Sequence, residues 1–457
     1  MKARMPSLSG ESLLQSIRHR FKLIKDHRDL SRVKIPLSDF LMSGLSIFCL
    51  KFPSLLQFEK QMRERKFASR LAPIFLMDEV PSDTQMRAVL DGVDPESLAP
   101  IYKTLFTRVQ QSKHLERFRF INGAYLIPVD GTQYFSSREI HCDSCMSKSI
   151  KDADGEGVLY YHQMLAGCIV HPDQECVIPL CPEPLRRQDG AEKNDCEQVA
   201  MRRFLKRLDA DHPRLPVIIV ADAIHTIGGL IRELRLSGKG FILGVKPGSH
   251  ATLFQGIENW AERGKLNHYL YEEEIGEKIK KKRTHRFRYA NKILFNYSDL
   301  STAVTFLEYW ETTAWVDAKG RAQEERVHFS WVTDFEINDQ NIMQLMRGGR
   351  ARWKIENETF NTLKNQGYSF EHNFGHGKKN LSTVFAHLMF LGFLFDQICQ
   401  LGCKVFQKAL KVHGRKKYLW DALRGLFTSS YNFQYKFPSW TDFFERCTGP
   451  PQEETPL

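Results

Sequence analysis

The sequence predicts an α/β protein: a mixed sheet flanked by helices, with a β-rich insertion and helical regions at both ends. Two patterns carry this prediction. Residues 124–130 (Ala-Tyr-Leu-Ile-Pro-Val-Asp) and 216–222 (Pro-Val-Ile-Ile-Val-Ala-Asp) are short apolar runs that read as strands, each ending in an acid. Around them, apolar residues recur at three- and four-residue steps, the period of helices that cover a sheet.

Residues 11 to about 115 read as helices, with Leu13, Leu14, Ile17 and Phe21 on one face and Leu37, Phe40, Leu41, Leu45 and Phe48 on another. A further helix starts after Pro81, with Ser82 or Asp83 as its N-cap. Beyond the strand at 124–130, residues 160–170 and 176–180 read as two more strands. A helix at 196–208, the strand at 216–222, a helix at 227–236 and a strand at 240–245 complete the layered pattern, with mixed strand directions expected. Residues 251–334 break the rhythm: β-rich stretches at 284–295, 303–312 and 327–333 read as an insertion. Helices return at 338–346 and at 351–364, and 382–444 is mostly helical. The Pro- and Glu-rich tail, 450–457, reads as disordered.

The 457 residues suggest two to four domains. With 42% hydrophobic and 26% charged residues, wholesale disorder is excluded. Lys and Arg number 65 against 54 Asp and Glu, and the net charge of +11 favours a polyanionic partner. A membrane span is not expected, because the apolar stretch 384–401 is broken by His387 and Asp396, and its uninterrupted part is 388–395. No apolar core follows the basic residues of 1–10, so no secretory signal is expected. Ten cysteines at irregular spacing fit a reducing cytosol better than a disulfide framework.

The chemistry lies in three acids. Asp130 and Asp222 end two strands, and ligands gather at the carboxyl ends of strands in open α/β sheets. Carboxylates held close together repel unless a cation neutralises them, and hard oxygen ligands select Mg²⁺ or Mn²⁺. Two such ions suit phosphodiester chemistry. Glu356 is the candidate third acid, because Arg352 lies four residues earlier on the same helical face and is placed to grip a phosphate. Taken singly, a strand-end Asp reads better as a turn or capping residue; two such strands followed by the Arg352–Glu356 helix reverse that reading.

Three segments, Val129-Asp-Gly-Thr-Gln, Val220-Ala-Asp-Ala and Arg352-Trp-Lys-Ile-Glu-Asn-Glu-Thr-Phe-Asn-Thr-Leu-Lys364, resemble the DDE transposases of bacterial insertion sequences. The likeness is to the group with a ribonuclease H-like core and a β-strand insertion, and it spans roughly residues 120–370. It implies Asp130, Asp222 and Glu356 as a triad holding two Mg²⁺ or Mn²⁺ ions, with Arg352 and Lys364 as phosphate contacts. Trp353 resembles an aromatic position near the DNA end, and it reads equally as a core side chain. The group's usual Tyr, seven residues before the Glu, is Gly349 here, and Lys364 lies eight residues after Glu356 rather than seven. The implied organisation is a helical DNA-binding region (1–118), a core in two parts (119–250 and 335–380), a β-rich insertion (251–334) and a helical C-terminal region (381–457). The implied activity is cleavage of the terminal inverted repeats and strand transfer to target DNA, by a homodimer in the bacterial cytoplasm at the nucleoid. A metal-dependent nuclease and a decayed relative that only binds DNA are the alternatives.

Other signals are weaker. Lys278, Lys280, Lys281, Lys282, Arg283, Arg286 and Arg288 form a basic run suited to the DNA backbone, although Glu272, Glu273, Glu274 and Glu277 are placed to pair with it. Arg18, Arg20, Lys22 and Lys25 read as a solvated face or as a DNA contact. His141-Cys142-Asp-Ser-Cys145 contains a CxxC, with His162, Cys168 and His171 downstream, but lacks a second matching pair and reads as two reduced cysteines on a loop. His372 and His376 fall in a polar, Gly-rich segment that reads as exposed. Asp195 and Glu197 read as acids at a helix N-terminus.

Overall fold

The structure, a computed structural model, describes residues 6–63, 65–152, 155–186, 196–277, 279–296, 299–428 and 437–449. Lys278, Asp195 and the tail at 450–457 lie outside the described residues. Among those described, eleven strands form one mixed sheet with helices around it. They are β1 (Tyr125–Ser137), β2 (Met146–Asp152), β3 (Gly155–Ile169), the two-residue β4 (Ile178–Pro179) and β5 (Glu183–Pro184), β6 (Val217–Ala221), β7 (Gly240–Gly244), β8 (Asn267–Ile275), β9 (Lys281–Asn296), β10 (Asp299–Val316) and β11 (Ala322–Thr333).

The order across the sheet is β2-β3-β1-β6-β7-β11-β10-β9-β8, with β4 and β5 paired to β3. Only β1–β6 and β6–β7 pair in parallel; all other neighbours are antiparallel. β6 reads Val-Ile-Ile-Val-Ala and every residue in it is buried, as a central strand covered on both faces requires. The helix Glu197–Asp211 packs on β3 and β5, Gly228–Leu236 on β7 and β10, and Ala251–Glu262 on β9.

Three expectations change. The strand carrying Asp130 does not end there: it continues to Ser137, because β3 keeps pairing with it after β6 has stopped. The β-rich stretch is not set apart from the core sheet. Thr333, Val332 and Trp331 of β11 pair with Ile242, Leu243 and Gly244 of β7, so the long hairpins extend the same sheet. The helix expected at 351–364 starts after a turn at 351–352 and runs on to Asn365, but its middle, Ile355–Phe360, is π-helical before the α-helical end Asn361–Asn365.

The N- and C-terminal helical regions share one core. Leu37–Cys49 packs along Leu381–Gly402, the 22-residue helix that is long and apolar enough to cross a membrane, and nearly all of this helix is buried inside the fold. Asp396, the charge that interrupts the apolar run in the sequence, sits within the helix because Lys51 meets it: Lys51 Nζ lies 2.6 Å from Asp396 Oδ2, and Tyr368 donates its hydroxyl to the same oxygen at 2.5 Å. The Lys51 ammonium also lies over the rings of Tyr368 (4.0 Å) and Trp420 (4.2 Å). Nearby, Asp91 accepts from the backbone N–H groups of Lys378, Lys379, Asn380 and Leu381, capping the same helix from the N-terminal side. Burial works against the charge of Asp91, but these four donors hold its carboxyl below the usual range.

Removing one member of the Lys51–Asp396 pair should leave the other charged and buried, a loss of about 3–5 kcal/mol. Lys51→Met and Asp396→Leu should therefore each lower the urea midpoint sharply, and the double variant should lie closer to wild type than either single one.

Candidate functional site

The parallel register of β1 and β6 places the two aspartates. The pairs run Tyr125↔Val217, Leu126↔Ile218, Ile127↔Ile219 and Pro128↔Val220. Asp130 and Asp222 each lie two positions beyond the last pair, so they stand at the same level, Asp130 within β1 and Asp222 just past the end of β6. Pro128 has no N–H to donate, which suits the end of a ladder. The backbone orients both side chains: Gly131 N–H donates to Asp130 Oδ1 at 2.8 Å, and Ile224 N–H to Asp222 Oδ1 at 3.1 Å. Asp222 thus makes the turn contact expected of a strand-end Asp and still faces the cleft described below.

Arg352 ties Glu356 to Asp130. Its Nη1 lies 3.0 Å from Asp130 Oδ2 and its Nη2 lies 2.5 Å from Glu356 Oε1. One guanidinium thus spans two of the three carboxylates in a charge-assisted bridge. Asp130 is pushed from 3.8 up to about 6, chiefly by burial; Arg352 and Gly131 N–H oppose the shift, and Asp222 and Glu356 add to it. Arg352 is half-buried, which works against its charge, but its bond to Glu356 and the charges of Glu356, Asp130 and Asp222 hold its proton more tightly than usual.

Glu356 is the second residue of the π-helical segment. A π turn holds one residue more than an α turn. The eight-residue step from Glu356 to Lys364 therefore covers about the rotation that seven residues cover in a regular α-helix. Lys364 itself is ion-paired with Glu371 at 2.7 Å rather than with the three acids.

An open cleft of about 580 Å³ borders Asp222 and Arg352, with Lys246, His328, Arg350 and Trp353 on its walls. Trp353 is 43% exposed, so it is not a core side chain. Gly349 has no room for a side chain, because a Cβ there would lie 2.6 Å from the indole of Trp331. Trp331 stacks on Phe329, with ring centroids 5.5 Å apart, and Arg350 lies over Phe329. The rings beside Gly349 come from β11, and Trp353 adds a further aromatic face to the cleft.

The basic run is largely occupied. Lys282 pairs with Glu272 at 2.9 Å, Arg283 lies 3.5 Å from Glu311 and 3.7 Å from Glu273, and Arg288 binds Glu258 (2.8 Å) and Glu308. Lys281 lies over Trp315. Lys280 and Arg286 are exposed. On the first helix, Arg18 pairs with Asp39 and Asp78 and Arg20 bonds Thr104, while Lys22 and Lys25 are exposed.

Glu197 proves to be more than an acid at a helix start. It accepts from Gln163 Nε2 at 2.5 Å, lies 3.4 Å from His225 Nε2, and packs so close to Gly131 that a Cβ there would lie 2.2 Å from its Oε1. The Gly after Asp130 was the only local sign of this approach. His376, expected on an exposed loop with His372, is instead buried, and its Nε2 lies 3.3 Å from Cys145 Sγ. The CxxC is therefore not simply two cysteines on a loop: Cys142, Cys145, His162 and His376 converge, whereas Cys168, His171 and His141 stay out of the cluster. All ten cysteines are free of disulfides. No protein-family model matches the chain, and no curated protein matches it either.

In the fold, Asp130 holds its proton up to about pH 6, against 3.8 for an ordinary Asp. A raised acid makes ionisation costly to the folded state, so this cost appears as pH rises from about 4 through 6. Asp130→Asn removes it. The Tm of that variant, measured against wild type, should gain progressively between pH 4 and 7. A pH-independent difference would show that Asp130 titrates normally.

Proposed function

We propose that the protein is a DDE transposase with a ribonuclease H-like core, which binds the ends of its own element, cleaves there and transfers the 3′ end to target DNA. One observation carries this reading: Asp130 on β1 and Asp222 just past the end of the parallel β6 stand at the same level, and Arg352 holds Glu356 to Asp130. Three carboxylates against one guanidinium leave an excess of negative charge, and their oxygens suit Mg²⁺ or Mn²⁺. Two such ions, when bound, would activate the attacking hydroxyl and stabilise the leaving oxygen.

The chain's own residues supply the rest. Asp130 must release its proton to act as a ligand, and Arg352 must give up one of its carboxylates before it can grip a phosphate. Trp353, Lys246 and Arg350 offer an aromatic face and cations along the cleft beside Asp222, where a DNA end can lie. The net charge of +11 favours a polyanion. A homodimer pairing two ends of the element, at work in the nucleoid, belongs to the same reading, and so does a phosphate contact from Lys364 once Glu371 releases it.

The test is an end-DNA substrate incubated with Mg²⁺ and a target plasmid. Joined products are expected from wild type, and none from Asp130→Asn, which should still bind the end. Cleavage without joining would make the protein a nuclease, and binding alone a DNA-binding relative. Salt dependence probes the surface. Each lost phosphate contact flattens the slope of log K against log salt by about 0.9. Replacing the exposed Lys280 and Arg286 should flatten it more than replacing Lys282 and Arg283, which already have acidic partners.

A further inference from the structure

We propose that Cys142, Cys145, His162 and His376 bind one Zn²⁺ ion in a closed tetrahedral site that fastens the edge of the sheet to the segment following the Glu356 helix. All four side chains are buried, none more than 8% exposed. One ligand atom from each falls within 4.8 Å of every other.

The separations fit a single ion. With Zn–S of about 2.3 Å and Zn–N of about 2.0–2.1 Å, a tetrahedron places sulfurs about 3.8 Å apart and sulfur and nitrogen about 3.6 Å apart. Cys142 Sγ and Cys145 Sγ are 3.8 Å apart. His162 Nε2 lies 3.3 Å from Cys142 Sγ and 3.4 Å from Cys145 Sγ, and His376 Nε2 lies 3.3 Å from Cys145 Sγ. The sulfurs are too far apart for a disulfide, whose bond is about 2.05 Å. A two-iron cluster with cysteines on one iron and histidines on the other would hold sulfur and nitrogen farther apart than this.

The surroundings support the same reading. Cys142 N–H donates to Cys145 Sγ at 3.4 Å, and such donors stabilise a thiolate. His376 Nδ1 is buried without a hydrogen-bond partner, so the imidazole makes its polar contact through Nε2, on the side of the cysteines. Ring contacts hold both imidazoles: Tyr134 stacks on His162 at 5.6 Å, and Phe135 lies 4.2 Å from His376. Two thiolates and two imidazoles select zinc over magnesium or calcium, and four protein ligands leave no open position for catalysis. Binding would release two thiol protons to solvent.

The position gives the site its purpose. Cys142 and Cys145 lie between β1 and β2, and His162 lies on β3. His376 comes from the segment between the Glu356 helix and the helix Leu381–Gly402. The ion would link strands that flank Asp130 to the chain that follows Glu356. The inference does not depend on the DNA reading, and its readout is metal rather than activity.

The test uses the purified full-length protein. Elemental analysis should give one zinc per chain, and replacement by Co²⁺ should give the visible bands of tetrahedral thiolate coordination. His376→Cys should keep a metal with altered bands, Cys142→Ser/Cys145→Ser should lose it, and Cys196→Ser, outside the cluster, should keep it. Chelation should speed hydrogen exchange in residues 366–380 and around Cys142. Folded wild-type protein that, with its thiols kept reduced, takes up neither Zn²⁺ nor Co²⁺ would overturn the proposal.

Discussion

Four residue pairs between β1 and β6 set the geometry on which the rest of the molecule depends. They are the junction between two kinds of sheet. On one side, β1 runs on into an antiparallel ladder with β3; on the other, β6 and β7 continue in parallel until β11 reverses the direction. A slip of one residue in those four pairs would turn the side chains of a strand to its opposite face. It would also carry Asp130 out of level with Asp222. Near-complete burial of Leu126, Ile127, Ile218 and Ile219 resists that slip, so the hydrophobic core and the acidic site rest on the same register.

The electrostatics of the site follow from this crowding. Burial and two neighbouring acids push Asp130 toward its neutral form, while one guanidinium pulls it back. Arg352 can serve both Asp130 and Glu356 because the chain turns after the helix Ile342–Arg350 before the π-helical segment begins. Charge and backbone irregularity coincide at this point, as they often do where a structure holds groups for a reaction.

Much of the architecture was legible in the sequence, because its signals were local. The β-branched run ending at Asp222, the helix through Phe204 and Leu208, and the Ser82 cap all depend on neighbours a few residues away. Convergence of Arg352 and Glu356 was legible too, since four residues on a helix share a face. The continuity of the sheet past residue 250 was not, because pairing of β11 with β7 leaves no mark on either strand alone. The π turn was hidden for a similar reason: a single extra residue looks like a displaced lysine until the backbone shows where it is absorbed. His376 was the largest gap. It lies 231 residues from Cys145, and the Gly-rich stretch around it suggested exposure, whereas it is packed between Phe135 and the two cysteines.

The buried meeting of Lys51 with Asp396 also bears on the making of the molecule. The two residues are separated by 345 positions, so during synthesis the N-terminal helices emerge long before the helix they pack against. At roughly 5–20 residues per second, tens of seconds pass between the two. Throughout that interval the part of Leu37–Cys49 that packs along Leu381–Gly402 lacks that partner, and the ammonium of Lys51 has no counter-charge. The helical layer therefore closes only after residue 396 has been made, long after its first helices.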